Sequence, residues 1–301
     1  MDDILLITNA DAGSNESSAI DAAVTALRAR CRVDVVSTRD ADDLDEALEK
    51  RAGRDLVIAG GDGSLHTTVA ALRARGELDQ PTIGLIPLGT GNDFARGAGI
   101  PLDPVDAAAV VIVGRSSAVD ILVDDQGGIV VNAVHAGVGA DAGVEAEPYK
   151  ARLGKAGYLV GALIAGFKTT GHRIKVVADG EVLADGARRV LQVGVGNGSW
   201  VGGGTELLPD ADPTDAVADV MVSFAVKPLD RFLYAVHLKR GTHDNRHDVR
   251  MARATSVTVS GEEFWCDTDG ELAGPMRARR WDVQPRAFTM MLPTPPQAEQ
   301  S

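Results

Sequence analysis

The sequence predicts a doubly wound α/β N-terminal domain followed by a mostly β, sandwich-like C-terminal domain. Three observations carry that expectation. Short aliphatic runs alternate with helical stretches up to about Leu122, glycine-punctuated alternating runs replace them afterwards, and 301 residues is long enough for two domains. Ile4 to Ile7, Val33 to Val36, Leu56 to Ile58 and Ile83 to Ile86 are continuous aliphatic runs, the pattern of buried strands. Between them, Ser18 to Arg30, Asp42 to Arg51 and Ser64 to Arg75 space their apolar residues at helical intervals. A βαβ series of this kind pairs its strands in parallel and binds ligands beyond their carboxyl ends. The loops after Ile7, Val36, Ile58 and Ile86 are therefore the places to look.

Beyond Leu122, the runs Gly128 to Val134, Arg173 to Val177, Val190 to Val195, Val220 to Val226 and Ser256 to Val259 read as strands. Helical stretches at Gly157 to Phe167 and Leu229 to Leu238 interrupt them. The expected organisation is an α/β nucleotide-binding domain over 1–122 and a β-rich domain over 123–292, whose last strand is free to return to the first. A flexible Pro/Gln-rich tail over 293–301 follows.

Composition excludes several classes. Apolar residues make up 45% and charged residues 24%, the balance of a globular protein rather than a disordered one. A formal net charge of -13 argues against nucleic acid as a partner, because phosphate backbones are bound by basic surface. The acidity is concentrated early, with 20 acidic against 11 basic side chains up to Leu122 and 23 against 19 beyond it. Within the later part, Lys227 to Arg253 holds seven Lys or Arg against three Asp, which is either a headgroup-contacting segment or a solvated helix face. The start lacks a basic segment and a small-residue cleavage site, and Tyr158 to Phe167 is too short to span a bilayer. A cytoplasmic protein is expected, with any membrane contact peripheral and on the inner face. Cys31 and Cys266 read as chance thiols.

Leu56-Val57-Ile58-Ala59 runs into Gly60-Gly61-Asp62-Gly63-Ser64, after which a helix begins with Ser64 as the expected N-cap. Strand, glycine turn and helix N-terminus together make an anion site, since glycines admit phosphate oxygens to backbone amides and the helix dipole is positive there. Asp62 beside a triphosphate requires a cation between them, for which Mg²⁺ is the expected choice. The other reading is a glycine turn whose aspartate satisfies its own loop. A second strand exit decides between them: Ile83 to Ile86 leads into Pro87-Leu88-Gly89-Thr90-Gly91-Asn92-Asp93-Phe94-Ala95-Arg96, and adjacent strands would bring both loops to one edge of the sheet.

With GGDGS followed about twenty-five residues later by PLGTGNDFAR, the chain resembles the diacylglycerol kinase catalytic-domain family, bacterial lipid kinases related to sphingosine kinases. The likeness continues through Asp120, Asn132 with Gly137 to Asp141, Gly157-Tyr158-Leu159, Gly202 to Gly204, the stretch Pro209 to Asp215, and Asp269-Gly270-Glu271. It implies the NAD kinase/diacylglycerol kinase-like fold and an ATP-dependent, Mg-dependent kinase acting on a lipid hydroxyl at the membrane surface. A homodimer is compatible with it. By the same resemblance Thr38, Gly60, Gly61, Asp62, Gly63, Ser64, Leu65, His66 and Thr90 line the nucleotide pocket. Asp62, Asp93 and Asp120 form an acidic network around Mg²⁺ and its waters, and Glu271 is the catalytic base. Asp215, with the backbone carbonyls of Asp212 and Val217, resembles a second, structural metal site.

The chemistry alone asks for positioning, charge neutralisation and a carboxylate near the acceptor hydroxyl. Glu271 serves that role, or it is an ordinary exposed residue after a type I′ turn at Asp269-Gly270. Two departures from the family stand out. Asn9 to Ser14 lacks the usual basic phosphate contact, and Ala216 replaces a glycine after Asp215. Gly137 to Gly143 and Gly194 to Gly198 imitate dinucleotide fingerprints but lie in the β-rich part. His243 and His247 lack the intervening Glu of a zinc protease and read as surface residues. An NAD kinase-like enzyme and a non-catalytic lipid- or nucleotide-binding relative remain the rival readings.

Overall fold

A computed structural model describes residues 1–10, 14–137, 140 and 170–294. The expected helix at Gly157 to Phe167, the motif Gly157-Tyr158-Leu159, most of the first-loop departure at 11–13 and most of the tail lie outside the described residues, as do Gly139 and Asp141.

The chain divides into two compact units, Met1–Asp120 with Pro285–Ser301, and Ile121–Gln284. In the first, β1 (Asp3–Asn9), β2 (Arg32–Thr38), β3 (Asp55–Gly60) and β4 (Thr82–Pro87) alternate with α1 (Ser14–Arg28), α2 (Ala41–Glu49) and α3 (Asp62–Ala74). The short α4 (Asp93–Gly97) and α5 (Pro104–Val113) follow β4. Strand order is β4-β3-β1-β2, all parallel. The last strand of the chain adds itself beside β4, with Thr289 opposite Thr82 and Met290 opposite Ile83. Ile4, Leu6, Leu56, Val57, Ile83 and Ile86 are completely buried, which is why these strands read as unbroken aliphatic runs.

The direction of strand succession reverses at β1, since β2 lies on one side of it and β3 on the other. Chains that leave the carboxyl ends of β1 and β3 therefore diverge and open a crevice between them.

The second unit begins within β5 (Arg115–Asp124) and is antiparallel. It comprises β6 (Ile129–Val130), β7 (Ala133–Gly137), β8 (Ile174–Ala178), β9 (Glu181–Asp185), β10 (Gln192–Gly196), β11 (Trp200–Val201), β12 (Thr205–Glu206) and β13 (Ala218–Ser223). After one helix, α6 (Pro228–Lys239), come β14 (Val249–Ala254), β15 (Ser256–Thr268) and β16 (Glu271–Leu292). The order β14-β13-β10-β7-β15-β16 carries a core on each face. Val193, Val195, Val220 and Val222 point to one side with Phe264 and Trp281, whereas Leu191 and Met221 meet Leu207, Leu208 and Tyr234 on the other.

Two expectations need correction here. His243 is completely buried rather than on the surface, its Nε2 2.9 Å from the Leu207 carbonyl oxygen and its ring edge-on to Tyr234. A 22-residue β16 was not legible from its alternation, because its first half, ELAGPMRARR, is exposed or half-buried and interrupted by Gly274-Pro275. Cys31 and Cys266 are free thiols, and burial pushes the Cys266 thiol up to about 12.

Candidate active site

The two strand-exit loops of the first unit touch because β3 and β4 end in register. Gly60 is opposite Pro87, and the Leu88 amide donates to the Gly60 carbonyl at 3.0 Å. The loops then meet glycine against glycine: a Cβ built on Gly89 would lie 2.6 Å from the Cα of Gly61, and one on Gly61 2.9 Å from the Cα of Gly89. Neither position accepts a side chain without moving backbone.

This contact puts Asp62 within reach of the second loop. Its Oδ2 accepts from the Asp93 amide and its Oδ1 from the Phe94 amide, both at 3.0 Å. Asn92 makes those amides available by turning the chain through the left-handed region (φ 52), and its Nδ2 donates to the Gly89 carbonyl at 2.8 Å. Asp62 thus caps α4 from another segment and locks the two loops together.

The helix after the first loop starts earlier than the sequence suggested. Its N-cap is Gly61 rather than Ser64, and no side chain caps it. The consequence is functional, because the first amides of a helix have no intrahelical partner and are left for an anion.

Beside them, at the carboxyl ends of β1, β2 and β3, lies a cavity of about 250 Å³. Thr8, Asn9, Thr38, Arg39, Asp40 and Ala59 form its walls, together with Gly63, Ser64, Thr67 and Thr68 of α3. It occupies the crevice that the strand reversal creates. The Thr8 hydroxyl is buried there with no hydrogen-bond partner, and Thr38 Oγ1 donates to the Thr8 carbonyl at 3.4 Å.

Of the expected nucleotide residues, Thr38, Gly63 and Ser64 border this cavity; Gly60, Gly61, Asp62, Leu65, His66 and Thr90 do not. Leu65 departs furthest from expectation, since its side chain is 1% exposed in the core and its amide donates to Gly61 within the helix. Thr8, Asn9, Arg39 and Asp40 line the cavity and were not among the residues expected there. The signal for them was available, as they follow directly on the ends of β1 and β2, where a doubly wound sheet binds.

The three carboxylates expected around Mg²⁺ have distinct surroundings. Asp93 is buried at the start of α4, and Asp120 is 1% exposed, its Oδ1 accepting from the Arg286 amide at 2.6 Å. Among the described residues no three His, Cys, Asp or Glu side chains converge on one point. The donors still suit a hydrated hard cation. Each Asp62 oxygen keeps a lone pair beyond the amide it accepts, and Asn92 Oδ1 is buried without a partner.

The set expected for a second metal, Asp215 with the backbone carbonyls of Asp212 and Val217, lies in the other unit. Asp212 Oδ1 accepts from the Thr214 amide (2.9 Å) and hydroxyl (2.7 Å), and Asp215 Oδ1 from the Val217 amide at 3.2 Å. The other Asp215 oxygen is ion-paired with Arg253, whose Nε is also 3.7 Å from Asp219. A guanidinium therefore stands against the one side-chain carboxylate of that set. Ala216, at φ 67, adopts the left-handed conformation natural to the glycine it replaces.

Glu271 belongs to the second unit, exposed on the first residue of β16 and opposite Thr268. The hairpin before it is a tight turn with both Asp269 (φ 50) and Gly270 (φ 93) left-handed. Asp269 anchors that turn by accepting from the amides of Val131 (2.7 Å), Asn132 and Ala133 (both 3.0 Å). Beneath it, His135 Nε2 stands 3.9 Å from Asp267, and burial holds this imidazole below the usual histidine range despite the carboxylate.

Comparison with known proteins gives the family and the fold. The family described as diacylglycerol kinase catalytic domain matches residues 3–123, and that described as YegS C-terminal NAD kinase beta sandwich-like domain matches residues 132–292. A "Probable lipid kinase YegS-like" protein of Pseudomonas aeruginosa is 32% identical over 306 residues, covering 97% of this chain and 95% of that one. Its counterpart in Pectobacterium atrosepticum is 30% identical over 255 residues, 83% of this chain and 81% of the other. A crystal structure of a diacylglycerol kinase from Bacillus anthracis str. Sterne has the same fold, with a TM-score of 0.74, 24% identity and 98% of each chain covered.

Proposed function

The chain belongs to the diacylglycerol kinase catalytic-domain family, and on that premise we propose that this lipid kinase transfers the γ-phosphoryl group of ATP to a hydroxyl of diacylglycerol or a similar lipid, in a Mg-dependent reaction. The observation that carries the reading is the 250 Å³ cavity at the strand reversal, walled by the uncapped start of α3.

Each residue then has a task. The amides of α3 and the hydroxyls of Thr38 and Ser64 orient phosphate oxygens, and Arg39 on the cavity wall is a basic side chain beside them, its guanidinium shared with Asp43 at 2.7 and 3.0 Å. Gly61 and Gly89 let the loops close, and Asp62 holds them closed. Asp62, Asp93 and Asp120 would hold Mg²⁺ and its waters, which supply charge neutralisation at the transferring phosphoryl group. Glu271 accepts the proton of the attacking hydroxyl on a turn made rigid by Asp269. An acceptor that resides in a bilayer makes this a peripheral enzyme working at the inner face of the membrane. Among the described residues no helix is long and apolar enough to cross one.

The test is a parallel incubation of radiolabelled ATP with diacylglycerol, sphingosine and NAD, with and without Mg²⁺. Label in a lipid product only with Mg²⁺ supports the proposal. Label in NADP instead, or in no product, overturns it.

A further inference from the structure

Eight large apolar side chains among the described residues are exposed, and three of them fall within five positions of α6: Leu229 (68% exposed), Phe232 (65%) and Leu233 (38%). Their i, i+3, i+4 spacing puts them on one helical face. The opposite face is already used, since Tyr234 is buried against Leu207, Leu208 and Met221. A phenyl ring and two leucines left in water on a well-packed helix are unfavourable unless something covers them.

What covers them is indicated by charge. Residues 227–240 contain Lys227, Arg231, Lys239 and Arg240 against the single Asp230, in a chain whose net charge is -13. Lys227 stands immediately before the helix and Lys239 and Arg240 at its end, all exposed, so cations bracket the apolar face. A second copy of this chain would bring these cations against one another. Nucleic acid would not satisfy the apolar face. The combination of inserted Leu/Phe and flanking Lys/Arg matches an anionic bilayer surface.

A contrasting patch sharpens the point. Leu102 and Val105 are also exposed, at 38% and 46%, but Asp103 and Asp106 accompany them. Acidic neighbours would be repelled by the same bilayer.

We propose that the exposed face of α6, Leu229, Phe232 and Leu233 with Lys227, Lys239 and Arg240, docks the enzyme on anionic membrane. The proposal rests on the lipid-acceptor reading, since an enzyme whose substrate lies in a bilayer has a use for such a face.

Sedimentation with vesicles tests it. The full chain binds vesicles of equal parts phosphatidylglycerol and phosphatidylcholine and not vesicles of phosphatidylcholine alone. The double variant L229S/F232S binds the mixed vesicles about tenfold more weakly, and each of K227E and K239E about fivefold more weakly, with the difference shrinking in high salt. L102S/V105S binds like the parent. All are surface changes, and their thermal midpoints and their phosphorylation of soluble short-chain diacylglycerol match the parent. Equal binding by L229S/F232S and parent, or no binding of the parent to mixed vesicles, overturns the proposal. So does a parent dimer that L229S/F232S dissociates, because the face would then be a subunit contact. Failure of every form to phosphorylate short-chain diacylglycerol overturns the acceptor reading instead, and vesicle binding still decides the role of α6.

Discussion

Asp62 and Asp120 in the first unit are met by backbone amides, whereas Asp215 and Asp219 in the second face a guanidinium. The difference lies in what each arrangement constrains. An amide-held carboxylate fixes main chain to main chain, so Asp62 determines where a whole loop lies. The Arg253 pair is half exposed and joins two side chains, so it neutralises charge without shaping the fold. Residues that look alike in sequence, an Asp in a glycine- or proline-containing loop, thus do unrelated work.

The largest effect expected on this contrast comes from Gly89→Ala. Its new methyl would meet the backbone of Gly61, and separating the loops pulls Asp62 off its amides, costing about 3 kcal/mol. Chemical denaturation should register that loss together with abolished transfer; a variant of normal stability would mean that the loop contact is dispensable. Asp62→Asn is milder in stability, because one oxygen can still accept while the amide nitrogen faces a second N–H. The expected cost is about 2 kcal/mol, with kinase turnover down at least about a hundredfold. If turnover survives, the carboxylate has no part beyond its capping role.

A third effect belongs to the buried His135, which stands beside Asp267 just before the Asp269-Gly270 turn. His135 has its folded-state pKa depressed mainly by burial, so the unfolded chain takes up the proton more readily. Stability is therefore full above the ordinary value of about 6.5 and declines as pH falls below it, by about 1 kcal/mol between pH 6.5 and 5.5. Denaturation curves at those two pH values should converge in His135→Gln; an unchanged slope would assign the titration elsewhere. Arg253→Ala is the smallest, under about 1 kcal/mol, given the exposure of the pair. Its signature is a midpoint that rises with millimolar Ca²⁺ or Mg²⁺ while that of the parent does not, as Asp215 and Asp219 then need another cation. A parent midpoint equally sensitive to chelator would restore the metal at this site.

The fold class was legible because burial on both faces writes parallel strands as continuous aliphatic runs, as at Ile4 to Ile7 and Ile83 to Ile86. The long β16 was not, since half of it is solvated and its arginines pair with Asp124, Asp125 and Glu263 rather than packing. In the site, glycines and aspartates announced the loops but not their connections. That Asp62 grips the amides of Asp93 and Phe94 is a tertiary fact, invisible to spacing. Leu65 shows the converse: proximity in sequence to Gly60-Gly61 placed it in the nucleotide set, and helical geometry turns its side chain to the core. Thr8 and Arg39 were reachable through the strand-end rule but carry no motif.

The return of the chain at Pro285 has a consequence for how the protein is made. Phe288, Met290 and Leu292 are buried in the first unit, and Met290 pairs with Ile83 of β4. A polypeptide synthesised from its N-terminus thus leaves the edge of β4 bare until residues 289–290 have emerged, so the unit begun first is completed after the second. Cutting the chain near residue 120 would not liberate an autonomous nucleotide-binding domain but an unfinished one with an open strand edge, prone to self-association.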